Sequence, residues 1–408
     1  MGETLSVADQ GDQTTSTTAP REAAGDRVRR AQSLRADPFA AVSEIRAQLG
    51  AGPFALIMLF TSANRATDGV AAAVMREFPG ETVIGATTAG EIGAQGYLEG
   101  AIVAVALPAR HFRAQTMLIP DLDRFADHLS IQEVLRLRNG LAGRVPTWSN
   151  EFAFLLSDGL SLREDQLVSA LGPALGGAPL FGGSAADGVN FSRTYVLADG
   201  AFRSNIAVLT FIRTDCRIKV FRFDHLLPTE TRMVVTEADP ARRTVSEINA
   251  EPAARAYARA LGRDPDQLSP FIFAAHPVVV RIGGNHHVCA IQRVEPNGDL
   301  KFFTAIDEGL VLTLAEGQGI APHLERALDQ LSPDGPPEAI IACECILRRL
   351  EVEETQVKSV MSATLARHNV VGFNSYGEQL NMLHVNQTFT GVAIYPPPAE
   401  PAGKGSRG

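Results

Sequence analysis

The residues of this chain best suited to hold a small molecule lie in three short loops of one design. They read Gly-Ala-Thr-Thr-Ala-Gly-Glu from Gly85 to Glu91, Gly-Gly-Ser-Ala-Ala-Asp-Gly from Gly182 to Gly188, and Gly-Phe-Asn-Ser-Tyr-Gly-Glu from Gly372 to Glu378. Glycine lets a backbone come close to a partner, and the short hydroxyl and amide side chains beside it form hydrogen bonds. A purely structural turn would not require this combination three times, so the loops predict a concave binding site. For a polar metabolite such as an amino acid, Thr87, Thr88, Ser184, Asn374 and Ser375 would supply hydrogen bonds. Arg281 or Arg193 would pair the carboxylate, and Glu378 or Asp187 the amine. Glu91 and Glu378 have a second reading as caps of the turns that follow. Tyr376 either stacks on a ring ligand or packs in the core.

Other chemistries find less support. Gly182 to Ala186 approximates the nucleophile elbow G-x-S-x-G, but the last glycine is missing and no His or acid follows in a recognisable setting. There is no P-loop, dinucleotide fingerprint or H-E-x-x-H, so the reading is a binding protein and not an enzyme. Cys343 and Cys345 share one strand face. Burial is favoured over metal ligation there, since no second Cys pair or nearby His completes a tetrahedral set.

Of nine histidines, His384 is the best placed. In Met382-Leu383-His384-Val385-Asn386 it shares a strand face with Met382 and Asn386 and follows the third loop closely. It would either ligate a metal or fix the loop through a carbonyl. His276, where an apolar strand breaks before Pro277, and Cys289, as a strand thiolate, are the alternatives. His286 and His287 sit in a turn, and His111, His128, His225, His323 and His368 have no distinguishing neighbours.

The elements that position these loops follow from periodicity. Residues 1–35 lack it and are expected to be a disordered arm. A helix from Asp37-Pro38 to Leu49 is followed by a first repeat, residues 52–120: strand Phe54–Phe60, helix Asp68–Phe78, strand Thr82–Thr87, then strands Ala101–Leu107 and Phe112–Ile119. A helical connection through Phe125–Leu137 leads to a second repeat, residues 150–225, with strands at Phe152–Leu156, Pro179–Ala185, Ile206–Ile212 and Ile218–His225 around helix Glu164–Leu175. Strand, crossover helix and parallel strand place ligands outside the strands' carboxyl ends, where the loops fall. The fold class is thus α/β to α+β, a duplicated unit followed by a related α+β region.

A boundary near 225–240 opens this later region. It is predicted to hold helix Ala253–Leu261, strands Phe271–Ala275, Val278–Ile282, His287–Val294 and Lys301–Thr304, helix Ile320–Leu331, strand Ala339–Cys345, helix Glu354–Ala366, and strands Val370–Phe373 and Thr388–Tyr395. Pro396-Pro397-Pro398 ends it, and residues 396–408 read as a flexible tail.

Composition sets the class. The net charge of -9 argues against nucleic acid, which needs a clustered basic surface. No run approaches a membrane span, the first residues carry no apolar signal core, and four cysteines in 408 residues suit a reducing compartment. These features predict a cytoplasmic protein and leave homo-oligomerisation open.

The three loops, together with Ser157-Asp158-Gly159, Asp199-Gly200 and above all Tyr376-Gly377-Glu378-Gln379 with His384-Val385-Asn386-Gln387-Thr388, resemble the FIST sensory family. The resemblance divides the chain into a FIST N-type domain, 36–230, and a FIST C-type domain, 231–395. It implies ligand sensing and signal transduction. In length and lack of fused domains the chain is similar to the bacterial NosP branch, haem proteins that sense nitric oxide and regulate a histidine kinase or a cyclic-di-GMP enzyme (diguanylate cyclase or phosphodiesterase). That likeness implies haem b held by His384, with Thr87, Thr88, Ser184, Asn374, Ser375, Tyr376, Glu378 and Asn386 around the ligand. The alternative is a non-haem, amino-acid-like metabolite.

Overall fold

In the computed structural model, three α/β units are laced together by exchanged strands. The structure describes residues 27–398 apart from 128, 283 and 334, together with the side chains of all of these but 282 and 285. Strand β1 (Arg29–Ser33) and helix α1 (Pro38–Leu49) open the chain. Unit 1 continues with β2 (Phe54–Ser62), α2 (Thr67–Glu77), β3 (Val83–Thr88), the hairpin β4 (Glu91–Gly93) and β5 (Gly96–Leu98), β6 (Ile102–Pro108) and β7 (Phe112–Ile119). Unit 2 repeats the order with α3 (Ile131–Arg144), β8 (Asn150–Ser157), α4 (Glu164–Leu175), β9 (Leu180–Ser184), hairpin β10 (Val196–Ala198) and β11 (Ala201–Arg203), β12 (Ala207–Thr214) and β13 (Ile218–Phe223).

An inserted β-rich subdomain follows: β14 (Leu226–Asp239), β15 (Thr244–Ile248), β16 (Glu251–Pro252), α5 (Ala253–Ala260), α6 (Pro270–Ala275), β17 (Val278–Ile282), β18 (Asn285–Cys289), β19 (Ile291–Val294), β20 (Leu300–Phe302) and β21 (Val311–Gly317). Unit 3 then runs through α7 (Ile320–Asp329), β22 (Ala339–Cys345), α8 (Ile346–Glu354), α9 (Lys358–Arg367), β23 (Val370–Ser375), hairpin β24 (Glu378–Leu380) and β25 (Leu383–Val385), and β26 (Phe389–Ile394).

Each unit's crossover pairs its first two strands in parallel: β2 with β3, β8 with β9, β22 with β23. The sheet orders are β1-β6-β2-β3-β10-β11, β7-β12-β8-β9-β24-β25 and β13-β26-β22-β23-β4-β5. Every unit therefore lends its hairpin to one neighbouring sheet and units 1 and 2 lend their last strand to another. The three sheets close on one another cyclically. Central strands are covered on both faces, which explains their unbroken apolar runs. Ile57 and Leu59 face α1 and α2, and Ala153 and Leu155 face α3 and α4. The opposite faces meet in a shared core, where Phe60 stacks on Phe373 at 4.4 Å and Phe154 lies 5.0 Å from Phe181.

Several expectations change. The arm assigned to residues 1–35 is cut short, since Arg29–Ser33 is the edge strand that completes the first sheet. Arg29 Nη1 donates to the carbonyls of Leu49 and Ala51, and Ala31 is buried. Residues 1–26 lie outside the described residues, as do 399–408 of the tail. Ile218–Phe223, assigned to the second repeat, pairs with β26 in the third sheet. Phe271–Ala275 is helical because Pro270 sits at its first position, where its missing N–H costs nothing. The helix expected over Glu354–Ala366 is α9, and an unexpected helix, α8, precedes it. The later region is likewise two bodies: the insert, residues 226–317, and a third copy of the repeat.

Candidate functional site

The three glycine loops occupy equivalent places, and the fold itself requires their composition. Gly85, Gly182 and Gly372 stand opposite Leu59, Leu155 and Ala342 in the parallel registers. A Cβ on any of them would lie 1.8–2.0 Å from the carbonyl oxygen of that partner. The hydroxyls next in line hold buried carboxylates. Thr88 Oγ1 donates to Glu91, whose other oxygen accepts the amide of Ala101 at 3.0 Å. In unit 3, Ser375 Oγ donates to Glu378, which also accepts Thr388 Oγ1 at 2.6 Å. Each clamp ties a strand tip to the start of the unit's next long strand. Unit 2 substitutes Asp158, which accepts the amide of Asn205 and the hydroxyl of Thr194. Burial pushes Glu91 up to about 7 and Glu378 up to about 8, against the hydrogen bonds they receive.

The inference that structural turns would not need this chemistry three times is therefore corrected, because a threefold architecture does. Thr87 accepts the amide of Tyr195 at 3.0 Å, Ser184 accepts from Gln379 at 2.8 Å, and Asn374 donates to Glu344 at 3.1 Å. Asn386 donates to the carbonyl of Tyr376 at 3.3 Å. These groups, with Thr88, Ser375 and Glu378, are buried and each makes a hydrogen bond within the protein, while the Oδ1 atoms of Asn374 and Asn386 have no partner. Tyr376 packs among Phe191 and Phe303, and its hydroxyl donates to Asp187 and accepts the amides of Asp187 and Phe191. The tips do converge, but side chains fill the space between them.

What stays open is the tip of unit 1. A cleft of about 610 Å³ lies at the carboxyl ends of β2 and β3. Unit 1 supplies Ser62 to Arg65, Thr88 to Gly90, and Glu99; unit 2 supplies the β9–β10 loop from Asp187 to Arg193; unit 3 supplies the α8 face of Ile346, Arg349, Leu350 and Glu353. The loop is held by Asp187, which accepts the amides of Ser192 and Arg193 at 2.9 and 2.8 Å. Burial alone would raise its carboxyl, but the hydrogen bonds from Tyr376, Arg193 and Ser192 prevail and hold it below the ordinary value. Asp187 is thus saturated and poorly placed to take an amine. The Arg193 side chain is exposed at the cleft and has no ion-pair partner among the described residues. Arg349 is 3% exposed; it pairs Glu99 at 2.9 Å and Glu353 at 2.8 Å, and lies 4.2 Å over the Tyr97 ring, while Nη1 has no partner.

The insert covers the other tips. Ala274, Ala290 and Phe303 pack on Ala186, Cys345, Ile346 and Tyr376. Gln387 donates to the carbonyl of Ala274 at 2.7 Å, and Arg243 of the insert pairs Glu164 of α4 at 2.8 Å.

Through Arg348, next to Arg349 on α8, a buried chain links this region to the insert's stem. Asn374, Glu344 and Arg348 are joined in sequence, with the Glu344–Arg348 pair at 3.2 Å and both side chains fully buried. Arg348 Nη1 lies 2.8 Å from His225 Nδ1, and His225 Nε2 lies 2.7 Å from Glu351. A guanidinium has no acceptor, so Nδ1 must accept and Nε2 must carry the proton.

His384 is half-buried on β25, with Nδ1 3.5 Å from Gln379 Nε2, and does not line the cleft. Its neighbours Met382 and Leu383 are exposed. With these exposed neighbours and the amide of Gln379 beside its ring, its surroundings do not fit the mostly apolar slot a haem takes. His276 caps α6, its backbone carbonyl accepting Tyr257, and burial lowers its imidazole. Cys289 is packed in the insert's core, where burial pushes its thiol up to about 12, and among the described residues it belongs to no group of three metal-ligating side chains. Cys343 and Cys345 are fully buried, as expected. Arg281 is exposed on β17 and does not line the cleft.

Arg65, Arg349, Glu353 and Glu99 were not legible as site residues. The i,i+4 spacings Glu344–Arg348 and Arg349–Glu353 were the available signal, hidden because the helix was expected to begin only at Glu354. Residues 55–251 match the family model described as the FIST N domain, and residues 253–381 that described as the FIST C domain. Their seam falls inside the insert, at Pro252 of β16. No curated protein matches the chain.

Proposed function

Since the chain belongs to the FIST family, whose domains are sensory domains of signal transduction, we propose that it senses a small anionic metabolite of amino-acid type in the cleft at the tip of unit 1. The observation that carries this is the cleft itself. All three units line it, and it presents the exposed guanidinium of Arg193 at strand ends, where α/β sheets bind ligands. Its volume of about 610 Å³ suits a metabolite with bound water. A carboxylate would pair with Arg193 and an ammonium group with Glu353 or Glu99. Because one wall is α8 and another the Asp187 loop, binding would favour the conformer in which these two walls are drawn together. A separate histidine kinase or cyclic-di-GMP enzyme would read that conformer.

Haem with nitric oxide is the weaker reading, since the polar cleft lacks a histidine and His384 lacks an apolar slot. A thermal-stability screen of the full chain against amino acids, dicarboxylates and hemin separates the two. A ligand selective for the native state raises the unfolding temperature. The expected result is stabilisation by one carboxylate class, lost in Arg193→Ala. A flat screen, or a hemin Soret band that shifts with nitric oxide and disappears in His384→Ala, would overturn the reading.

A further inference from the structure

The second sheet brings two turns together at the end of the fold opposite the cleft. Strand β7 pairs with β12 in a register that sets Phe112 against Thr214. Continuing that register outward, His111 meets Asp215, with Cys216 next along the chain. His111 Nδ1 lies 3.0 and 3.1 Å from the two carboxylate oxygens of Asp215, and Cys216 Sγ lies 3.7 Å from Oδ1. The three ligand atoms all fall within 4.8 Å of one another. No other group of three such residues lies close enough among the described residues.

We propose that His111, Asp215 and Cys216 form a divalent transition-metal site, best suited to zinc, with water in the fourth position. Zinc bonds of about 2.0–2.1 Å to nitrogen and oxygen and about 2.3 Å to sulfur place tetrahedral neighbours about 3.3 Å apart for N and O, and about 3.5 Å for S and O. The observed 3.0 and 3.7 Å need shifts of only a few tenths of an ångström. Imidazole, carboxylate and thiolate together select zinc over magnesium or calcium, which take oxygen ligands.

The surroundings are pre-formed. The His111 amide donates to the carbonyl of Pro108 at 3.2 Å, and the Cys216 amide donates to Thr214 Oγ1 at 3.0 Å, which fixes both turns. His111 is 12% and Asp215 27% exposed at the side chain, so an ion can enter from the Asp215 side, while Cys216 is 2% exposed and rooted in the shared core. Burial holds the Cys216 thiol up at about 12, so the ion must displace its proton, and the imidazole proton would move from Nδ1 to Nε2. The ion would then staple the β6–β7 turn of unit 1 to the β12–β13 turn of unit 2. This site is independent of the cleft.

Titrating the chelator-treated full chain with cobalt(II) tests it. One equivalent should bind, with tetrahedral d–d bands and a thiolate-to-cobalt charge-transfer band. Cys216→Ser should lose the charge-transfer band while keeping its circular dichroism. His111→Gln should bind about 100-fold more weakly or less well still. Zinc should displace cobalt and raise the unfolding temperature of the parent chain but not of Cys216→Ser. Absence of a thiolate band in the parent, or its persistence in Cys216→Ser, would overturn the assignment.

Discussion

The tips of units 1 and 3 carry the same clamp and have different fates. Thr88, Glu91 and Ala101 in one, and Ser375, Glu378 and Thr388 in the other, make matching hydrogen bonds around a buried carboxylate. Over unit 3 the insert lays Ala274 and Phe303 and closes the tip; over unit 1 no described residue of the insert does, and a cleft remains. The polar loops are therefore a property of the fold, and the site is decided by which tip the insert leaves bare.

The strongest way to break that comparison is at the glycines. Gly372→Ala puts a methyl 1.8 Å from the Ala342 carbonyl, and Gly85→Ala 2.0 Å from that of Leu59. Both should cost roughly 4 kcal/mol or more, and denaturant titration should show the two losses to be alike. A mild effect at Gly85 alone would mean that the units are not equivalent.

The clamps sharpen it next. A carboxyl whose folded pKa is raised binds its proton more tightly in the native state. Stability is therefore full below the unfolded value near 4.5 and falls as pH rises through about 7 for Glu91 and about 8 for Glu378. Unfolding free energy should drop by several kcal/mol between pH 5 and pH 9. Glu378→Gln, neutral at every pH, should remove the larger share of that slope and Glu91→Gln the smaller.

Two smaller effects separate scaffold from site. Tyr376→Phe removes the hydroxyl that ties the covered tip to Asp187 and should cost about 1–3 kcal/mol. It should also weaken ligand binding, because it loosens the cleft's own loop. Arg193→Ala should change stability by less than about 0.5 kcal/mol, yet weaken a carboxylate ligand about 10- to 100-fold, which calorimetry would measure.

Much of this architecture was written in local pattern. The apolar runs Phe54–Phe60 and Phe152–Leu156 and the helix Glu164–Leu175 fall where periodicity puts them, because doubly covered strands are apolar throughout. The exchange of strands was hidden: nothing in Ile218–Phe223 says that it pairs with β26 across the insert. Site residues followed the same division. Arg193 and Asp187 were legible because they adjoin a loop motif, whereas Arg65 and Arg349 enter the cleft only through tertiary packing. Burial also reversed the meaning of Ser184, Asn374 and Asn386, whose polar groups turn inward.

Hydrogen exchange with and without the stabilising metabolite tests the central claim most directly. Slowed exchange in residues 62–67, 187–195 and 346–353, with 376–387 unchanged, is the predicted result. Protection centred on 376–387 around His384, with the Asp187 loop unaffected, would contradict it.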